Sequence, residues 1–279
     1  MKRNYLIKAL IAALLFSLSL VTACGKEDKN VLMMATTTST DNTGLLDYLK
    51  PEFKKDTGID LRWVAVGTGK ALQMGQNCDV DVLLVHAPDS EKKFMDTGFG
   101  LNRTQIMYND FIIIGPAGDP AKIKGKTVKD AMKTIRAKKV VFASRGDKSG
   151  THVLEQKLWK ESGIALPEKE SWYMSTGQGM IETIKVAAEK NGYTITDRGT
   201  YIKYEASMQG KPALVILVEN DNILFNQYSA IVINPEKCAK AKKDYAEKFV
   251  SWIVSDKVQK LIADFKLEGK QLFVPNAGK

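Results

Sequence analysis

The chain has 279 residues, 44% of them hydrophobic, with 41 Lys+Arg against 32 Asp+Glu and a formal net charge of +9. The basic excess is modest and nearly all lysine scattered along the chain, as on solvated helix faces; no aromatic-plus-arginine module accompanies it, so no nucleic-acid partner is expected. Three cysteines and two widely spaced histidines, His86 and His152, offer neither a disulfide framework nor a metal cluster, so neither a cofactor nor a bound metal ion is expected.

The first element is a leader. Lys2, Arg3 and Lys8 precede an uncharged run over residues 9–21, the length of a signal-peptide core and too short to span a bilayer comfortably. It ends in Val21-Thr22-Ala23-Cys24, which resembles the lipobox of bacterial lipoproteins, where cleavage leaves the cysteine acylated. Residues 1–23 are therefore read as a lipoprotein signal peptide, Cys24 as the lipidated residue, and polar residues 24–30 as a tether. The mature chain would sit on the extracytoplasmic face of the cell membrane, held by lipid. Three cations leave with the leader, which lowers the net charge from +9 to +6. With Cys24 spent, Cys78 and Cys238 remain, either as a disulfide or as two buried thiols.

From Val31 onward short apolar runs alternate with helical patterns. Strands are predicted over 59–66, 80–85, 111–114, 140–143, 213–218 and 229–233. Between them Leu45, Leu49 and Phe53 share a helical face. So do Val128, Ala131, Met132 and Ile135; Leu154 and Leu158; Ile181, Ile184 and Ala188; and Tyr245, Phe249, Trp252 and Ile253. This is the rhythm of an α/β protein. About 250 mature residues exceed one ordinary core, so two lobes are expected. Without a long flexible linker, the lobes are joined by strands near 109–116 and 218–225. Residues 31–112 and 219–279 then form the first lobe, and residues 113–218 form a second lobe inserted in it.

Four hydroxyl-rich or glycine-rich loops each stand where a strand ends and a helix begins: residues 35–41, 66–70, 144–151 and 175–180. In an open α/β sheet such loops converge at the carboxyl ends of the strands, where ligands bind. The third, Ser144-Arg145-Gly146-Asp147-Lys148-Ser149-Gly150-Thr151, reads as an anion cradle. The peptide N–H groups of Ser149, Gly150 and Thr151 open a helix, whose dipole favours an anion, and Arg145 adds a cation; Asp147, two residues on, either orients that cation or is a solvated turn carboxylate. Hydroxyls, amides and one arginine suit a small, fully ionised tetrahedral oxyanion. Enzyme signatures fail. Residues 146–150 lack the spacing of a nucleophile elbow, Pro120 stands where the first glycine of a P-loop ending in Lys126-Thr127 belongs, and no nucleophile–base pair can be named. His152 is read as a helix-surface or core histidine.

On these loops, and on Gly67-Thr68-Gly69, Ser175-Thr176-Gly177-Gln178-Gly179-Met180 and Thr196-Asp197-Arg198-Gly199-Thr200-Tyr201, the chain resembles the extracellular substrate-binding proteins of bacterial ABC transporters, and among them the tungstate-binding components. The resemblance runs from about Val31 to the C-terminus. It implies a two-lobed type II periplasmic-binding-protein fold that closes on an oxyanion and hands it to a membrane permease, acting as a monomer and not as an enzyme. It implies donors from Thr37, Thr38, Ser39 and Thr68 on the first lobe, and from Arg145, Ser149, Gly150, Thr151 and Ser175 on the second. Tungstate is the expected ligand, with molybdate beside it. The alternatives are phosphate, sulfate, or an exported enzyme acting on a phosphate or sulfate ester. Phosphate keeps a proton that a binder can require through a carboxylate, which would repel tungstate. Phosphate binders carry that aspartate in an Asp-Ala-Pro-like turn; here the turn is His86-Ala87-Pro88, unless Asp79 or Asp81 reaches the site instead. His86 itself is read as a strand-end histidine without ligand contact.

Overall fold

The computed structural model describes residues 30–147 and 149–278. The predicted leader, the lipidation site Cys24 and the tether up to residue 29 lie outside the described residues, as does Lys148. The elements below belong to the unit Leu32–Lys279, apart from the first residue of β1. Among the described residues no helix is long and apolar enough to cross a membrane.

An eight-stranded sheet organises the fold. Its continuous path runs β12 (Val274–Pro275), β4 (Gly100–Pro116), β9 (Phe225–Ile233), β3 (Val82–Val85), β1 (Val31–Thr37) and β2 (Asp60–Val66). Parallel pairing of β1 with β3 puts Thr36 opposite Leu84, so both strands end on the same side. Strand β4 is the crossing. Its first part pairs antiparallel with β9 from Gly100 to Asp110, and its last part pairs with β7 (Thr194–Asp197) and β8 (Leu214–Val218). The sequence predicts a strand over 111–114 and a crossing near 109–116, and leaves residues 100–108 of these 17 unmarked. Polar Asn102, Arg103, Thr104 and Gln105, none of them buried, hide the first half because they supply no apolar run.

Two sets of apolar cores lie along β4. The first gathers Leu32, Phe53, Leu84, Phe249 and Trp252, with a neighbouring cluster around Leu83 and Phe94. The second gathers Ile113, Phe142, Trp159 and Tyr193, with Ile112 and Ile184 behind it. The chain leaves the first along β4 and returns after β8 to β9, which makes this a two-lobed α/β fold with an inserted second lobe. The first lobe carries helices α1 (Thr38–Asp41), α2 (Leu45–Thr57), α3 (Thr68–Gln76) and α4 (Pro88–Asp96). The second carries α5 (Val128–Lys138), α6 (Gly150–Glu161), α7 (Met180–Glu189) and α8 (Arg198–Ser207), beside the parallel pair β5 (Phe142–Ser144) and β6 (Tyr173–Ser175). After β9 come α9 (Lys243–Ile253) and α10 (Asp256–Asp264). Helix α2 shows the local logic: Leu45, Leu46, Leu49 and Phe53 face inward, and Gly58, at φ +74°, caps its end through an N–H bond to the Lys54 carbonyl.

The predicted helix stripes need two adjustments. On α6 the buried face is Thr151, His152, Glu155, Leu158 and Trp159, with Leu154 only half-buried. On α7 it is Met180, Thr183, Ile184 and Ala187, so Ile181 and Ala188 flank the core. In both cases polar residues occupy inward positions that apolar periodicity passes over. Cys78 and Cys238 form a disulfide, which settles the pairing left open by the sequence.

Candidate functional site

The first cluster grows from the shared end of β1 and β3. Strand β1 runs to Thr37, and the next residues turn at once into the one-turn helix α1, so the predicted loop is largely strand end and helix. Thr37 caps that turn, its Oγ1 accepting the Thr40 N–H at 3.2 Å. The same oxygen lies 2.7 Å from Thr40 Oγ1, 3.1 Å from Ser39 Oγ and 2.9 Å from Nε2 of His86, the residue that follows β3. Ser39 Oγ is 3.1 Å from that nitrogen too. On its other side His86 Nδ1 meets Asn226 Oδ1 at 2.9 Å, and Asn226 Nδ2 reaches Asn109 Oδ1 at 2.8 Å. Thr37 and Thr40 are buried, whereas Thr38 and Ser39 are exposed. Burial pushes His86 below the usual imidazole range; the Asn226 bond and the Asp197 charge oppose this without overturning it.

The second cluster is the cradle. Helix α6 starts at Gly150 with Ser149 as its cap, the Ser149 hydroxyl accepting the His152 N–H at 3.4 Å. Gly150 and Thr151 thus fill the first two helical positions, where backbone N–H groups lack intrahelical partners. Arg145 Nη2 donates to Asp147 Oδ2 at 2.5 Å, and Asp147 Oδ1 accepts the Ser149 N–H at 3.1 Å. Burial pushes the Asp147 carboxyl up, but the bonds from Ser149 and the Arg145 guanidinium outweigh it and hold the group below its ordinary value. Nε of Arg145 is buried and has no hydrogen-bond partner among the described residues, and the same holds for Nη2 of Arg103. A buried donor in that condition can be met by a water or an ion from outside the chain.

Ser175 joins this cluster through Gly146. Ser144 pairs with Ser175 across β5 and β6, and a Cβ on Gly146, whose φ is +60°, would stand 1.8 Å from Ser175 Oγ. Only glycine permits that approach. Thr176 fastens the two loops, its N–H and hydroxyl both donating to the Ser144 carbonyl. Thr68 stands elsewhere, half-buried as the first residue of α3 after the extended Gly67, on the first lobe.

The structure thus groups Thr37 with Ser39, and Arg145 with Ser149, Gly150, Thr151 and Ser175, while Thr38 and Thr68 open separate helices. Three sequence expectations are corrected or completed. His86 stands at a strand end, as expected, and is in addition bonded into the hydroxyl cluster. The signal lay in its position one residue past β3, but only the pairing of β3 with β1 brings it to Thr37. Asp81 does not reach the site: its carboxylate accepts the Met33 and Lys242 N–H groups at the opposite end of β3, and Asp79 is exposed at that same end. The motif around Asp197 is architectural. Asp197 caps α8 through the Thr200 N–H and hydroxyl, and Arg198 grips Asp110 with two 2.6 Å bonds and Glu219 with one of 2.7 Å, tying the crossing segments together.

Beneath the cradle lies Glu155, which the sequence reading left in the helix pattern. Its carboxyl is buried and accepts from Ser144 Oγ at 2.6 Å, Tyr173 Oη at 2.7 Å and Trp159 Nε1 at 3.2 Å; Ser144 Oγ in turn accepts the Gly146 N–H. Burial raises this group from 4.5 to about 7, the three donors only partly compensating. A carboxyl raised in the folded state stabilises the fold below its unfolded value and loses that contribution as pH rises through the folded one. Between pH 4.5 and pH 8 Glu155 is expected to withdraw about 3 kcal/mol, and Glu155→Gln to flatten that decline in urea unfolding. Identical pH slopes for the two proteins would contradict the assignment.

Comparison with known proteins agrees with this architecture. Residues 25–257 match the model of the PBP superfamily domain. The tungstate-binding protein TupA of Campylobacter jejuni is 55% identical over 239 residues, 86% of this chain and 88% of the relative. Among solved structures, the tungstate-binding protein TupA from Desulfovibrio alaskensis G20 superposes with a TM-score of 0.88 at 69% identity, covering 88% of this chain and 99% of that one. The tungstate ABC transporter structure from Geobacter sulfurreducens gives 0.73 at 45% identity, over 85% and 99%. The chain, two-lobed and with its hydroxyl cluster and arginine cradle at strand and helix ends, belongs to the PBP superfamily and within it to the family of the tungstate-binding protein TupA.

Proposed function

We propose that the chain is the extracytoplasmic substrate-binding protein of an ABC transporter, capturing tungstate, and molybdate beside it, between its lobes and delivering it to the permease without chemical turnover. Residues 31–112 and 219–279 form one lobe and residues 113–218 the other. Donors come from Ser39, Thr38 and Thr68 on the first, with Thr37 holding their turn, and from Arg145, Ser149, Gly150, Thr151 and Ser175 on the second. The observation that carries this reading is Arg145, a cation with a buried, unpartnered Nε beside the open N-terminus of α6. It favours an anion, and the state of the carboxylates favours one without a proton. Asp147 is engaged by Arg145 and Ser149, Asp197 by Thr200, and Asp81 lies at the far end of β3. In the turn that resembles the one where phosphate binders carry their acceptor aspartate, this chain has His86.

Acylation of Cys24 would hold the protein, as a monomer, at the outer face of the membrane while the lobes close on the anion. Thr68→Val is expected to cost about 1.5–3 kcal/mol of tungstate affinity, the worth of one hydrogen bond to a charged group. Calorimetry on both proteins tests it; equal affinities would remove Thr68 from the site. The reading as a whole is tested by the rise in melting temperature with tungstate, expected to be large with micromolar anion and nil with phosphate.

A further inference from the structure

The hydrogen-bond directions around His86 divide the labour between Thr37 and Ser39. Asn226 and Asn109 are both buried, and Asn226 commits its amide nitrogen to Asn109 Oδ1 at 2.8 Å. What it turns to His86 Nδ1, at 2.9 Å, is its oxygen. An amide oxygen only accepts, so Nδ1 must carry the ring proton. In the neutral ring, the form that burial favours, Nε2 is then an acceptor with a single lone pair. Two hydroxyls approach it, Thr37 at 2.9 Å and Ser39 at 3.1 Å, and only one can donate.

Surroundings decide which. Thr37 is 3% exposed, and its oxygen already receives the Thr40 N–H and contacts the Thr40 hydroxyl. Its proton has His86 as the nearest acceptor that carries no proton of its own. Ser39 is exposed and makes the longer contact. We infer that His86 is a positioning residue: its Nε2 accepts the hydrogen bond donated by the Thr37 hydroxyl, fixes Thr37 as the buried organiser of the turn, and leaves Ser39 as the ligand-facing hydroxyl of this pair. The inference rests on the oxyanion reading above for the identity of the ligand, but the tautomer of His86 does not.

Two measurements test it. Long-range ¹H–¹⁵N spectra of the ligand-free protein near neutral pH should show His86 protonated on Nδ1 with Nε2 bare; the opposite tautomer overturns the scheme. Tungstate titrations should then show Ser39→Ala weakened at least about tenfold, the scale of one hydrogen bond to a charged group. His86→Asn, which keeps the donor toward Asn226 and loses the Nε2 acceptor, should weaken binding. His86→Gln, which restores an acceptor near the Nε2 position, should recover most of the loss. In a Thr37→Ala background, His86→Asn should add less than about twofold, because the histidine acts through Thr37. A full additional loss there, or a Ser39→Ala variant that binds like the unmutated protein, overturns the division of labour alone. If the unmutated protein takes up no tungstate, the functional reading fails and the role of Ser39 with it, while the spectra still decide the role of His86.

Discussion

Arg145→Ala is expected to weaken tungstate binding by about 2–5 kcal/mol, from roughly 30-fold to several thousand-fold in Kd, the cost of removing one partner from a buried, hydrogen-bonded charge pair. The guanidinium is already oriented: Asp147 holds Nη2, and Ser149 steadies Asp147, so little side-chain entropy remains to be lost on binding. Its Nε is a buried donor without a partner among the described residues, and an acceptor supplied there by the anion would relieve that unsatisfied group as well as meet the charge. Arg145→Lys should fall between the two, since an ammonium keeps the charge but not the planar fork. Neither variant removes a core contact, so both should melt close to the unmutated protein. Unimpaired calorimetric binding by Arg145→Ala would take the arginine out of the site.

Opening the Cys78–Cys238 bond should have the largest effect on stability. The bond closes a sequence separation of 160 residues, for which loss of chain entropy in the unfolded state gives about 5 kcal/mol, against the about 2–5 kcal/mol typical of removing native disulfides. Cys78→Ser combined with Cys238→Ala is expected to lower the melting temperature by roughly 5–20 °C, at about 2–4 °C per kcal/mol for a chain of this size. Cys238 is buried, whereas Cys78 is exposed on the turn after α3, so the link joins that turn to the segment following β9. This is the end of β3 away from His86. Tungstate affinity should therefore stay within about twofold while the melting temperature falls, and strong reductant should bring the unmutated protein to the same melting point. A melting temperature unaffected by the double substitution would show that the bond contributes little to folding.

What the sequence made legible was whatever depends on neighbours along the chain. Apolar runs marked the buried strands, and Ser149 before Gly150-Thr151 marked a helix start, because capping is a local event. Asp147 two residues from Arg145 predicted its own ion pair. What stayed hidden depends on contacts between distant segments. His86 and Thr37 are 49 residues apart and meet only because β1 and β3 lie parallel. Ser175 reaches Gly146 only through the pairing of β5 with β6. Glu155 escaped notice for a different reason: a carboxylate on a helix face is usually solvated, and nothing in its immediate sequence announces that Ser144, Tyr173 and Trp159 enclose it. The first half of β4 carries no apolar run because residues 102–105 are polar, although that strand carries the chain between the lobes.

The central claim is that the two clusters together hold an unprotonated tetrahedral dianion. Parallel calorimetric titration of the ligand-free protein with tungstate, molybdate, sulfate and phosphate tests it most directly. Tight binding of tungstate, with molybdate beside it and phosphate silent at the same concentrations, is the predicted result. Phosphate binding as tightly as tungstate would contradict it, because a carboxylate acceptor would then have to hold the proton that phosphate retains.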